Sequence, residues 1–250
     1  MIWNVLTEHW WLPILIACIS GHFTTVCVSL YLHRDQTHGG LTIKAPVSHL
    51  MRFWLWLSTG LNTREWVACH RKHHAFTDQP DDPHSPVNHG VLGVLFAGVY
   101  YYRKATKNMA VMEKYGKGVV NDWLEKYIFT KLQFVGVLTL LAIDIVLFNV
   151  GYGLLVWAIQ MVWIPFWAAG VINGIGHYLG YRNYKVEDES RNIVPIGILL
   201  GGEELHNNHH KYPASSKFSS KWFEFDIGWM YIRILMFFRL AHVKISDMSK

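Results

Sequence analysis

Residues 69–74 read Cys69-His70-Arg71-Lys72-His73-His74, and the chain runs on through Asp78, Asp81, Asp82, Pro83 and His84. The three imidazoles fall at i, i+3 and i+4. On a helix these positions share one face, so the rings converge while Arg71 and Lys72 point elsewhere. Converging imidazoles repel when protonated and gain little when neutral. Metal ligation is the chemistry that uses them, because neutral imidazole is a common ligand.

The pattern recurs. His206-Asn207-Asn208-His209-His210 has the same spacing, His33 and His38 form an HxxxxH pair, and Asn173 and His177 form NxxxH. Nine of the fifteen histidines fall in these four motifs, too many for scattered core or surface rings. They exceed the four ligands of one zinc site and suit two metals with four or five ligands each. The three cysteines add nothing to the clusters, which argues against a thiolate zinc site. Cys18 and Cys27 would lie about 13 Å apart along a helix, too far to bridge. Asp78, Asp81 and Asp82 can orient ligand imidazoles as hydrogen-bond acceptors, although Asp81 reads equally well as a solvated loop carboxylate.

The elements that position these rings belong to a membrane protein. Hydrophobic residues make up 51% of the chain and charged ones 16%, against about 25% charged in ordinary soluble domains. Twelve tryptophans and twelve tyrosines fit interfacial aromatic belts. The 250 residues are expected to form one unit over 1–250. A net charge of +5 suits an anionic membrane surface or an acidic partner and carries no nucleic-acid signature. The start lacks the basic n-region of a cleavable signal.

Trp10 to Leu32 carries no formal charge and reaches roughly 34 Å as a helix, enough to cross a bilayer. Leu132–Val150 and 153–176 form two more spans, joined by Gly151-Tyr152-Gly153 in a hairpin. Pro46–Trp66 is apolar but short and contains Arg52. A crossing there would separate His33 from His70, so it reads as an interfacial helix, with a re-entrant segment as the alternative. Val91–Tyr102 and Phe218–Leu240 read as further interfacial helices, Tyr178–Arg191 as a polar linker and Ile193–Leu200 as a short apolar run. The expected fold is an all-α integral membrane protein. It has three transmembrane helices (about 10–32, 132–150 and 153–176), interfacial helices, and a cytoplasmic His-rich di-metal cap from 33–131 and 177–250. All 23 Lys and Arg then lie on one side, as the positive-inside rule requires.

The first helix is expected to end near His33. Residues five apart differ by about 140° on an α-helix, so a turn at Gly39-Gly40 must fold His38 back. Asn173 and His177, four apart, share a face. His22 is expected to pack or hydrogen-bond among Ser20, Thr24 and Thr25. Asp144 is expected to face another helix or the far interface, and His9, His49, His89 and His242 read as ordinary surface residues. A centre at the inner ends of membrane helices faces substrates lying in the bilayer. Breaking an unactivated C–H bond in a lipid chain needs oxidising chemistry, which a redox-active metal supplies and zinc does not.

HxxxxH (His33, His38), HRxHH (His70, Arg71, His73, His74), NxxxH (Asn173, His177) and HNxHH (His206, Asn207, His209, His210) together resemble the membrane fatty-acyl desaturases of the Δ9 acyl-CoA/acyl-lipid family. Asp82-Pro83-His84 and Gly202-Glu203 are similar to that family too, and the resemblance covers about residues 10–240. Leu32-His33-Arg34, Glu65-Trp66-Val67-Ala68 and the stretch 201–210 look most like its compact bacterial branch, which acts on acyl chains of membrane phospholipids.

The resemblance implies a di-iron, O2-dependent enzyme. It would place a cis double bond, at Δ9, in a saturated acyl chain of a phospholipid or acyl-CoA. One iron would take His33, His38, His70, His74 and His209. The other would take His73, His177, His206 and His210, with Asn173 acting through a water. Asp82 and Glu203 would support the ligands from behind. Electrons would come from a separate ferredoxin- or cytochrome-type donor with its reductase, because the chain has no Cys-rich iron–sulfur pattern, no HPGG stretch and no GxGxxG. The implied location is the bacterial inner membrane, with a cytoplasmic active site and a periplasmic N-terminus. The longer animal-type members carry a further N-terminal hairpin helix, for which there is no room before Trp10. Trp54, Trp56, Trp66 and Trp167 are candidate tunnel-lining residues, or else lipid-facing or core aromatics. A related di-iron hydroxylase acting on an apolar substrate would use the same ligands. A zinc hydrolase would need a base such as the Glu of HExxH, which is missing, and a metal transporter would string its histidines along a pore.

Overall fold

The first apolar helix, α1 (Trp11–Cys27), runs without a break into a π-wound extension, Val28–Thr37. This computed structural model describes residues 8–246. The extension corrects the expectation of a helix ending near His33. The His38 amide donates to the His33 carbonyl at 3.1 Å, an i→i+5 bond of the π type. That winding brings residues five apart onto one side, so the His33 and His38 rings lie 4.8 Å apart between centroids. No returning turn is needed.

Among the described residues, two helical stretches are long and apolar enough to cross a membrane, Trp11–Thr37 and Gln133–Ile175. The second comprises α6 (Gln133–Ile164) and a π-wound continuation, Pro165–Ile175. It is bent at Asn149, whose φ of 68° and ψ of 176° are not helical. The Trp157 indole donates to the Val137 carbonyl at 2.9 Å. In a straight helix those residues would be about 30 Å apart. A Cβ on Gly153 would sit 2.6 Å from the Ile145 Cα. The stretch is therefore a hairpin of two arms, 133–148 and 150–175. The turn falls at Asn149, two residues before the expected Gly151. Its side chain accepts from the Gly151 and Tyr152 amides at 3.0 and 3.2 Å and so caps the second arm.

Pro46–Trp66 is two elements rather than one. Helix α2 (Ala45–Ser58) stops before Gly60, which has a φ of 61°, and α3 (Thr63–Ala75) starts at its cap Asn62. The Glu65 amide donates to the Asn62 side chain at 3.0 Å, the N-terminal half of a capping box. Arg52, buried in α2, pairs with Asp122 and lies 3.6 Å from Glu125. Helix α4 (Val91–Thr106) crosses Pro165–Ile175 at close range. A Cβ on Gly98 or Gly170 would meet the Ala169 or Leu95 carbonyl at 2.6 or 2.8 Å. Helix α5 (Met109–Tyr115) follows.

The chain is mostly helical, with two small strand pairs that the all-α expectation lacked. Strand β1 (Leu41–Ile43) pairs antiparallel with β4 (Ala241–Val243), and β2 (Ile196–Gly197) pairs parallel with β3 (Phe225–Asp226). Strands of two or three residues are too short for alternation to show in a sequence. Helix α7 (His206–Lys211) carries the last histidine motif, and α8 (Ile227–Phe237) occupies half of the expected 218–240 helix. His22 bonds the Leu199 carbonyl and the Tyr231 hydroxyl, both at 3.4 Å, not the serine and threonines of its own helix. Ser20, Thr24 and Thr25 instead accept from Gln160, Trp54 and Trp163. Asp144 is buried in the first arm, near the hairpin turn.

A candidate di-metal centre

Four elements bring the nine imidazoles to one place. The π-wound extension supplies His33 and His38, α3 supplies His70, His73 and His74, the end of the second arm supplies His177, and α7 supplies His206, His209 and His210. The rings form two groups. In one, ring nitrogens of His33, His38, His70, His74 and His209 lie within 4.8 Å of one another, and in the other those of His73, His177, His206 and His210 do so. In both helical motifs the i, i+4 pair sends its rings to one group and the i+3 ring crosses to the other.

The intervening residues hold the frame. Arg71 donates to the Thr37 and Gln36 carbonyls at 3.1 and 2.9 Å, and to Lys117 at 2.6 Å. It thus ties α3 to the end of the first helix. Asn207 accepts from the Asn183 and Tyr184 amides and donates to Tyr184 and Ser190. Asn208 donates to Glu224 and to Phe218. Arg34 is fully buried, forks onto Asp226 with two 3.1 Å bonds, and lies 3.8 Å from the Phe218 ring centroid. Phe218 in turn packs on His33 and His209.

Carboxylates stand behind four of the rings. Glu203 faces His33 Nδ1 at 2.8 Å, Asp82 faces His73 Nδ1 at 2.9 Å, Asp78 faces His177 Nδ1 at 2.9 Å, and Asp188 faces His210 Nδ1 at 3.1 Å. A carboxylate accepting from Nδ1 fixes the tautomer and leaves the Nε2 lone pair pointing inward. Asp82 and Glu203, the two carboxylates the motif resemblance names, are among these four. Asp78 was one of three acidic candidates, and Asp81 is exposed. Asp188 lies in the stretch read as a polar linker, and no spacing marks it. His84, part of the Asp82-Pro83-His84 stretch noted in the sequence, packs on His73 at 4.6 Å between centroids.

The inward nitrogens fit cations. His70, His74, His209 and His33 stand in a row with successive Nε2 atoms 3.0 Å apart, and His177 and His206 repeat that contact. Among the described residues, the buried His38 Nε2, His73 Nε2 and His210 Nε2 have no hydrogen-bond partner. Lone pairs crowded at such distances repel unless a positive ion lies among them. Burial, reinforced by neighbouring imidazoles, pushes His38, His70, His74, His206, His209 and His210 well below the ordinary histidine range. These rings are therefore neutral and ready to ligate. For His73 burial acts in the same sense, but the carboxylates of Asp82, Asp78 and Asp188 together outweigh it and the net direction is upward. Burial alone would raise Asp78, yet the bond and charge of His177 hold it at about 2.

An apolar cavity of about 180 Å³ opens against the centre. His33, His70, His206 and Asn173 form its metal-side wall, while Ile164, Ala168, Ile172 and Met161 form its apolar body. Asn173 is half-buried there. Of the four tryptophans considered, Trp66 lines the cavity and stacks on His70 at 4.8 Å. Trp54 and Trp56 pack in cores, and Trp167 packs beside Val171, Ile172 and Leu200.

The Fatty acid desaturase family profile matches residues 9–225. The chain is 30% identical to acyl-CoA 5-desaturase AL21 of Anemone leveillei, over 92% of this chain and 70% of that protein. It is 28% identical to the sn-1 stearoyl-lipid 9-desaturase of Anabaena variabilis, over 88% and 79%. With the Delta-9 acyl-lipid desaturase 2 of Arabidopsis thaliana it shares 27%, over 96% and 74%. Histidine boxes folded into two nitrogen-lined groups beside an apolar cavity agree with these matches: the chain belongs to the fatty acid desaturase family and is an oxidoreductase of fatty acyl chains.

Proposed function

We propose that the chain is a di-iron, O2-dependent desaturase that introduces a cis double bond, at Δ9, into a saturated acyl chain of a membrane phospholipid or acyl-CoA. The supporting observation is the arrangement of five and four ring nitrogens, with lone pairs turned inward, against an apolar cavity. The five-histidine group would hold one iron. The four-histidine group would hold the other, with Asn173 completing it through a water.

When bound, the iron pair supplies the redox chemistry: two adjacent carbons each lose a hydrogen, O2 takes these with two electrons and two protons, and two waters leave. The chain's own residues do the positioning. Glu203, Asp82, Asp78 and Asp188 keep Nδ1–H outward and Nε2 inward. Ile164, Ala168 and Ile172 present an apolar wall that accepts methylenes and excludes water. Trp66 lies against His70 and fixes its plane. The electrons require a separate ferredoxin- or cytochrome-type donor with its reductase.

In this reading α1 and the two arms cross the membrane three times. The Asn149 turn and the N-terminus lie on one side, and the histidine cap lies on the cytoplasmic side of a bacterial inner membrane. Every Lys and Arg then falls on the cytoplasmic side, in keeping with the positive-inside rule. The test is expression in a host that lacks desaturases, with mass spectrometry of intact lipids and location of the double bond. Unsaturated lipid is expected from the wild type and not from His73→Ala. Equal unsaturation in both would refute the site, and a hydroxylated product would assign the hydroxylase chemistry.

A further inference from the structure

The apolar run 193–200 is not a helix, and between its buried end Leu200 and partly buried Ile193 most of its large side chains face outward. Val194, Ile196, Ile198 and Leu199 are 41–56% exposed. The β2–β3 pairing sets Ile196 opposite Phe225, and the Phe225 amide donates to the Pro195 carbonyl at 2.9 Å. This joins the run to a second exposed group, Trp222, Phe223 and Phe225, of which Trp222 is 95% exposed. The two form one continuous apolar surface. Such surfaces mark contact with a partner.

Its height along the molecule identifies the partner. Gly201 lies against Ser29, and a Cβ there would be 3.1 Å from the Ser29 Cβ. Leu199 then reaches His22 through its carbonyl. His22 precedes His33 by eleven residues in the same helix, on the order of 15 Å away. Leu200 packs with Val171 and Ile172 of the second arm. The run thus climbs alongside two apolar helices, away from the histidine cap.

Irregular backbone at that depth is tolerated only when the protein satisfies its polar groups. Here it does so. The Leu200 and Gly202 amides donate to the Glu204 carboxylate at 2.8 and 3.2 Å. The Gly201 carbonyl accepts from Ser29 and Arg34 at 3.2 and 2.9 Å. The Ile193 amide donates to the Glu204 carbonyl at 2.7 Å. No charged side chain occurs between 192 and 202. Glu224, the one charge between Trp222 and Phe225, is buried and bonded to the Ser220 and Lys221 amides. Trp222 follows exposed Lys221, the pairing of indole and cation expected at headgroup level.

We propose that 194–200 with 222–225 is a re-entrant wedge whose partner is the acyl region of the leaflet nearest the histidine cap. The wedge leads directly into Gly202 and Glu203, so bilayer contact and the carboxylate behind His33 lie on one short segment. This inference rests on the reading that α1 and the two arms cross a membrane.

The test uses the full chain in nanodiscs containing a phospholipid with a photoreactive diazirine in its acyl tail, followed by peptide mapping. Peptides covering 193–200 and 222–225 are expected to take label within about twofold of 133–148. Peptides covering 107–121 should take at least tenfold less. Label on 133–148 without label on 193–200 overturns the wedge and leaves the crossing intact. No label on 133–148 overturns both. Crosslinking of 193–200 to a second chain in place of lipid would give the face to a dimer and also overturn the wedge. As a second readout, a nitroxide on Ile198→Cys should relax at least threefold faster with oxygen than with a water-soluble nickel chelate. The reverse ratio refutes insertion.

Discussion

The two histidine groups are built by different means. In the four-histidine group, Asp82, Asp78 and Asp188 stand behind His73, His177 and His210. In the five-histidine group, among the described residues, only Glu203 stands behind a ring, His33. There the remaining order comes from packing, with Trp66 stacked on His70 and with Phe218 against His33 and His209. The group with fewer imidazoles thus has more negative charge behind it. Carboxylates raise ligand basicity and fix ring orientation, which offsets a missing ligand. A fifth imidazole does the same work in the other group without adding charge.

The largest expected effects come from emptying either group. His73→Ala and His209→Ala should each cut product at least a hundredfold. Each should also lower bound iron from two per chain to one, measured by elemental analysis of purified protein. Loss of activity with both irons retained would break the assignment of these rings as ligands. Next is the frame of the five-histidine group. Asp226→Asn leaves the buried Arg34 guanidinium without its anion, and removal of one partner of such a pair costs about 3–5 kcal/mol. A lower Tm is expected, with the unfolding signal from the five-histidine side appearing first.

The carboxylate side is tested more gently. Asp188→Asn and Asp78→Asn should weaken metal retention about 10–100-fold, read by competition with a chelator. Trp66→Phe keeps an aromatic plane on His70 and should change retention by less than about threefold. If Trp66→Phe weakens retention as much as Asp188→Asn, the contrast between charge and packing fails.

The smallest effect is on pH. Unfolded histidines bind a proton near 6.5, whereas burial keeps His38, His70, His74 and His209 from doing so when folded. The unfolded state then holds more protons, so stability of the metal-free chain should fall as pH drops through about 6.5. The limit is about 1.4 kcal/mol per pH unit for each ring. Asp78, held at about 2, contributes stability that is present above its unfolded value near 4. That contribution is lost only as pH falls toward 2, outside this window. A Tm of the metal-free chain that does not fall between pH 7.5 and 5.5 would contradict the neutral, buried state of these rings.

The convergence of the nine imidazoles was legible in the sequence because its signal is local. Spacing of i, i+3 and i+4 is enough to converge His70, His73 and His74, or His206, His209 and His210. The pairing of His33 with His38 was legible as a motif but not as geometry, since α-helical periodicity cannot reveal a π-wound stretch. The same limit hid the turn at Asn149, where one residue with positive φ replaces the expected glycines. Asp188 was invisible because it reaches His210 through tertiary folding across 22 residues. Arg71 read as a residue pointing away, and it does point away, onto the carbonyls that end the first helix. The run 193–200 reads as apolar, but its height comes only from tertiary contacts, of Leu199 with His22, of Gly201 with Ser29 and of Leu200 with Val171 and Ile172.

The most direct test of the central claim is anomalous X-ray diffraction at the iron edge from crystals of the intact protein grown with iron. Two peaks per chain are predicted, one among His33, His38, His70, His74 and His209 and one among His73, His177, His206 and His210. A single peak, or peaks at the zinc edge from protein that still desaturates, would contradict the account.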